Sequence, residues 1–102
     1  MEAFFMNKEL EKLYMSGKSR KYLLPADITQ KFVMCVRKIM AAETIHDFWQ
    51  DPALNFEKLR GTSNRYSMRL NRKYRLEMDI EWDNEIQTIG IFGIDEISNH
   101  YD

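Results

Sequence analysis

The stretch Arg65-Tyr66-Ser67-Met68-Arg69-Leu70-Asn71-Arg72-Lys73-Tyr74-Arg75-Leu76-Glu77-Met78-Asp79-Ile80-Glu81-Trp82 decides the fold. Tyr66, Met68 and Leu70 alternate with Arg65, Ser67, Arg69 and Asn71, and Tyr74, Leu76, Met78, Ile80 and Trp82 alternate with Lys73, Arg75, Glu77, Asp79 and Glu81. A strand sends successive side chains to opposite faces, so this period marks strands buried on one side only. Paired as a meander, they turn Tyr66, Met68 and Leu70 inward and Ser67, Arg69 and Asn71 toward water. Arg75 then shares the exposed face with Arg69, and Glu77 and Asp79 continue it.

Downstream, Asp83-Asn84-Glu85 reads as a turn, and Ile86 to Ile94 as a third strand, apolar throughout and therefore central. Asp95 to Asp102 is a tail carrying His100 and Tyr101. Upstream, after a short strand at Phe4 to Met6, the apolar period lengthens to that of a helix. Leu10, Leu13 and Tyr14 mark a helix over Lys8 to Met15. A basic loop, Ser16 to Lys21, follows. Pro25 suits a first helical turn and Asp27 the positive end of the helix dipole. Ile28, Phe32, Val36, Ile39 and Met40 then line one face of a helix to about Ala42. Thr44 and Asp47 cap a brief helix with Ile45, Phe48 and Trp49 on its apolar side, and Asp51-Pro52 ends it. Cys35, Trp49 and Trp82 read as core positions. Helices followed by adjacent strands argue an α+β fold, a small antiparallel sheet packed against N-terminal helices, as one domain over residues 1–102.

A chain of 102 residues builds one core but no deep internal cavity, so function belongs on a surface or in a shallow groove. The single cysteine, Cys35, excludes an internal disulfide and a cysteine-based zinc site, in keeping with a reducing cytoplasmic setting. No segment is apolar for long enough to span a membrane, and the N-terminal apolar run is too short for a signal peptide. No spacing of His and carboxylates resembles a metal-ligand set, and no cofactor is implied.

The net charge of −1 hides segregation along the chain. Residues 58–75 hold Lys58, Arg60, Arg65, Arg69, Arg72, Lys73 and Arg75 and no acid, whereas residues 76–102 hold eight acids and no Lys or Arg. Uncompensated cations repel one another unless an anion visits. RNA phosphodiester cleavage by the 2′-hydroxyl needs a base, an acid and cations for the charge growing on phosphate. Arg69 and Arg75, which keep their protons, suit charge stabilisation. His100 has the pKa of an acid–base group, and Tyr101 offers a ring and a hydroxyl. Lys58, Arg60, Arg65, Arg72 and Lys73 supply further contacts to an RNA backbone. The plainer reading pairs Arg69 and Arg75 with Glu77, Asp79 or a partner protein and leaves His100 a solvated tail residue. His46, on a short helix, carries no assigned role.

The segment Phe56-Glu57-Lys58-Leu59-Arg60-Gly61, then Tyr66-Ser67-Met68-Arg69-Leu70-Asn71-Arg72-Lys73-Tyr74-Arg75-Leu76, resembles the HigB-like branch of the RelE/ParE toxins. The shared pattern is a leucine-basic-glycine step, a short polar loop, a Ser-apolar-Arg-apolar-Asn strand, and an aromatic-Arg pair after the Asn. Glu96-Ile97-Ser98-Asn99-His100-Tyr101 resembles that family's C-terminal strand and terminal histidine/tyrosine pair. The likeness covers the second half of the chain; the helices match in order and length only. It implies a RelE-like microbial RNase-type fold and a type II toxin that cleaves mRNA on the ribosome without metal or cofactor. It also implies neutralisation by a HigA-like helix-turn-helix antitoxin, with sequence-specific DNA contact only through the antitoxin complex. Arg60, Arg69, Arg75, His100 and Tyr101 fall at the motif positions. The loop Thr62 to Arg65 is shorter than the family's, which leaves both Lys58 and Arg60 open as the functional cation. His100 precedes Tyr101 where the family has the reverse, which in a strand exchanges faces and leaves open which reaches the phosphate. Two other readings stand: a ParE-like toxin that binds gyrase without catalysis, and an inactive module that binds nucleic acid or protein.

Overall fold

The computed structural model describes residues 1–99. In chain order its elements are β1 (Ala3–Phe5), α1 (Lys8–Ser16), α2 (Ala26–Ala41), α3 (His46–Trp49), a 3₁₀ turn (Pro52–Leu54), β2 (Glu57–Lys58), β3 (Arg65–Arg69), β4 (Tyr74–Trp82) and β5 (Gly90–Asn99). The strands form one sheet in the order β1-β5-β4-β3-β2. From β2 to β5 the neighbours are antiparallel. The β1–β5 pair is parallel, so the sheet is mixed rather than wholly antiparallel. A parallel pair needs a long connection, and here nearly the whole chain lies between the two strands.

The α+β reading holds, and the strand alternation sets the core. Met68, Leu70, Leu76, Met78, Ile80, Phe92, Ile94 and Ile97 are buried on the helix side of the sheet, against Leu10, Leu13, Ile28, Phe32, Cys35, Val36 and Ile39. Each such side chain contributes about 1.5–3 kcal/mol of burial free energy. Asn7 caps α1, its side chain accepting from the amides of Glu9 and Leu10. Gly17, at φ 76°, closes the helix in the left-handed region that glycine adopts freely. The Met1 ammonium donates to the carbonyls of Ile39, Met40 and Ala42 at 3.0, 3.2 and 2.5 Å. This places a cation at the negative end of the α2 dipole. No helix among the described residues is long and apolar enough to cross a membrane.

Four local expectations change. The third strand starts at Gly90, not Ile86, because the Asn84 carboxamide accepts from Thr88 and Ile89 and builds a loop there. It then runs to Asn99, absorbing residues 95–99 that the period alone assigns to a tail. Ser67 is buried rather than facing water: it is a short side chain placed on the ladder between Glu57 and Glu77. Trp49 is not core: its side is 52% exposed, because a four-residue helix turns too briefly to bury both Phe48 and Trp49. Cys35 is buried as expected.

Burial pushes the Cys35 thiol up from 9.0 to about 11, and burial with a hydrogen bond to Glu96 pushes up the Tyr22 phenol. Both folded-state pKa values lie above the unfolded ones. Their stabilising effect is therefore complete below the unfolded values and is lost as pH rises through the folded ones. Urea midpoints are expected to fall between pH 9.0 and about 11, and Cys35→Ala to flatten that fall. An unchanged pH slope in the variant would remove Cys35 from the account.

Candidate nucleic-acid interface

The sheet face away from the helices carries the site, and register places its side chains in rows. In the first row Arg69 lies opposite Arg75, which lies opposite Ser98. In the second, Glu57, Ser67, Glu77 and Glu96 follow one another across β2 to β5. In the third, Arg65 lies opposite Asp79. A bulge between Glu77 and Met78 inserts Asp95 into β5, and the Asp95 carboxylate reaches Arg65 on the same face.

The first row is cationic. Arg69 is exposed and makes no ion pair among the described residues. Arg75 is half-buried and pairs with Glu57 at 3.4 Å. Like charges directly opposite one another across a ladder are unfavourable, so an anion held between these guanidiniums relieves their repulsion. The β3–β4 turn adds the exposed Arg72 and Lys73 at the same end. The Asn71 side chain, which accepts from the amides of Lys73 and Tyr74 at 2.8 and 2.7 Å, fixes that turn. Next to Arg75, the Ser98 hydroxyl is buried and has no hydrogen-bond partner among the described residues.

The second row is acidic, and its members are tethered separately. Glu57 is held by Arg75, Glu77 by Arg65 and Glu96 by the Tyr22 hydroxyl, which donates to it. Asn7 in turn donates to the Tyr22 oxygen at 2.9 Å. The third row centres on Arg65. Its Nε donates to Glu77 at 3.2 Å, and one terminal nitrogen donates to Asp79 at 3.1 Å and Asp95 at 2.7 Å. Desolvation works against that charge, but the bonds to Asp95, Asp79 and Glu77 outweigh it and hold the guanidinium pKa above its ordinary value.

Arg65, expected as an RNA-backbone contact, is engaged within the sheet instead of standing free on its face. Its side chain is 20% exposed and turned to three carboxylates. Lys58 and Arg60 are exposed but stand apart from the arginine pair. Lys58 lies opposite Tyr66 and so belongs to the helix side of the sheet. Arg60 follows β2 beside Arg65, whose carbonyl accepts from the Leu59 amide at 2.8 Å. Arg65 and Arg69 stand four residue steps apart along the strand, about 13 Å. His100 and Tyr101 lie outside the described residues, which end at Asn99, opposite Tyr74. Glu57 is the group that period-counting missed. A two-residue strand has no readable alternation, and the available signal was its place directly before Lys58-Leu59-Arg60-Gly61.

The arrangement offers two guanidiniums for one phosphate and, beside them, the Glu57 carboxylate, 45% exposed. A family model described as HigB-like toxin, the RelE-like toxin HigB of type II toxin–antitoxin systems, matches residues 3–91. That match stops short of His100 and Tyr101. Among solved structures, a YoeB/ParE toxin from Agrobacterium tumefaciens superposes with a TM-score of 0.59 over 99% of this chain and 100% of that one, at 12% identity. That likeness is one of fold. No curated protein matches.

The two outer-face arginines of β3 are expected to behave oppositely. Arg65→Ala strands three partly buried carboxylates and is expected to cost about 3 kcal/mol or more. Arg69→Ala removes a like-charge opposition and is expected to stay within about 0.5 kcal/mol of the parent. Urea denaturation of both variants measures this; equal losses would refute the division of roles.

Proposed function

The chain belongs to the HigB-like toxins, the RelE-like toxins of type II toxin–antitoxin systems, and on that premise we propose that it is a ribosome-dependent endoribonuclease acting on mRNA. The observation that carries this reading is the Arg69–Arg75 pair on an open sheet face with Glu57 at 3.4 Å from Arg75. In the proposed reaction, which uses no metal, Glu57 accepts the proton of a ribose 2′-hydroxyl. The 2′-oxygen then bonds to phosphorus and the bond to the 5′-oxygen breaks, leaving a 2′,3′-cyclic phosphate and a 5′-hydroxyl. Arg75 and Arg69 stabilise the charge that grows on the phosphate oxygens. His100, which directly follows Asn99 in the chain, is the proposed proton donor to the leaving oxygen, with Tyr101 as its alternative or as a stacking surface for a base. Arg72 and Lys73 extend the phosphate contacts from the β3–β4 turn.

Type II toxins act opposite an antitoxin, and a HigA-like helix-turn-helix protein is the proposed one. DNA contact then comes through that complex, and the proposed setting is the cytoplasm, where ribosome and mRNA meet. A module that only docked a protein through a neutralised face would not need an exposed arginine, without an ion pair among the described residues, opposite another.

Primer extension on mRNA in a translating extract tests the reading. Cleavage is expected, with a loss of about 10²–10³-fold in Arg75→Ala and of similar or greater size in Glu57→Gln. No cleavage, or cleavage indifferent to Arg75→Ala and His100→Ala combined, would overturn it. Inhibition of gyrase supercoiling without RNA cleavage would favour a ParE-like role instead.

A further inference from the structure

The helix side of the sheet has a corner that the helices leave uncovered. Four aromatic rings run through it in contact. Trp49 meets Phe56 edge-on at 5.2 Å, Phe56 stacks on Tyr66 at 5.3 Å with 10° between planes, and Tyr66 meets Trp82 edge-on at 5.7 Å. Phe56 is fully buried and anchors the row, while Trp49 is more than half exposed. Beside Trp49 opens a shallow cavity of about 250 Å³ lined by Phe48, Trp49, Asp51, Pro52, Asn55 and Phe56. This is below the ~300–1,000 Å³ of pockets for larger ligands and suits one planar ring. Asn55, at a left-handed φ of 45°, also lines the cavity, and a carboxamide is a group able to donate and accept at a base edge. Lys58 comes two residues after Phe56 and lies opposite Tyr66, so its ammonium belongs to this same side. Among the described residues it makes no ion pair. The carboxylate in the cavity wall, Asp51, is already neutralised by Lys38.

We propose that this corner is a stacking platform for single-stranded RNA, with Trp49 taking one base on its open face and Lys58, with Arg60 beyond it, contacting the adjoining phosphates. A rigid ring mounted on a buried aromatic, with a cation on the same side of the sheet, is the combination that sequence-tolerant single-strand binding uses. An apolar peptide would not need the cation. The platform faces away from the Arg69–Arg75 row, so it holds RNA whether or not that row cleaves it.

The chain has two tryptophans, and Trp82→Phe leaves Trp49 as the sole fluorophore. Titration of that protein with a short single-stranded RNA is expected to give saturable quenching, which persists when Arg69 and Arg75 are both replaced by Ala. Trp49→Leu is expected to weaken RNA binding roughly tenfold. Lys58→Gln is expected to reduce the salt slope of binding by about one. RNA binding without quenching overturns the proposal, as does quenching that disappears with the arginine pair or that an apolar peptide produces and RNA does not. Loss of mRNA cleavage with quenching intact would fault the catalytic reading alone.

Discussion

The Arg65 guanidinium ties the last three strands of the hairpin series together. It takes Glu77 and Asp79 from β4 and Asp95 from β5, and Asp95 is available only because the bulge adds a residue there. A one-residue slip of β3 would carry Arg65 to the helix face, where no carboxylate waits and desolvation has no compensation. The same slip would bury Arg69 and take it away from Arg75. The ion-pair cluster and the apolar period therefore select one register, and that register puts Arg69 opposite Arg75.

Folding also reverses what the linear charge pattern suggests. Seven cations in residues 58–75 and eight acids in residues 76–102 look like two separated fields. Antiparallel pairing interleaves them, because β3 from the basic segment lies against β4, whose sequence passes from Arg75 into acids. Arg65 and Arg75 acquire carboxylate partners. The positive field that remains is confined to the β3–β4 turn end and bounded by the acidic row. A phosphate approaching this face meets Arg69 first, the exposed member of the pair, and Arg75 only in competition with Glu57.

How much of this could be read from the sequence follows from how local each feature is. The α2 core face through Ile28, Phe32, Val36 and Ile39, the β3 and β4 alternation apart from the buried Ser67, and the sharing of one face by Arg69 and Arg75 depend on period alone, and the structure has them; Met40, assigned to the same α2 face, is 45% exposed instead, at the last turn of the helix. The family is legible from the Leu59-Arg60-Gly61 step and the following arginines. The parallel β1–β5 edge, the Asp95 bulge and the Glu57–Arg75 pair depend on contacts between distant segments, and β1 and β2 are too short to carry a pattern. Arg65 looked like its neighbours in the basic run. Only the positions of Asp79 and Asp95 in space distinguish it from Arg69, four residues along the same strand.

The strand period also divides the cations by destination. Odd-numbered positions of β3, Arg65 and Arg69, face outward, while Tyr66 faces the helices and carries Lys58 to that side across the ladder. A single basic run thus serves two surfaces separated by the core. The outer surface has paired guanidiniums and a carboxylate, the groups that chemistry at a phosphate requires. The inner corner has a lysine and stacked rings, groups suited to binding rather than to proton transfer. Because Met68, Leu76 and Met78 lie fully buried between them, a core change in β3 or β4 would disturb both surfaces together, whereas Lys58 and Arg69, each exposed, act on one surface apiece.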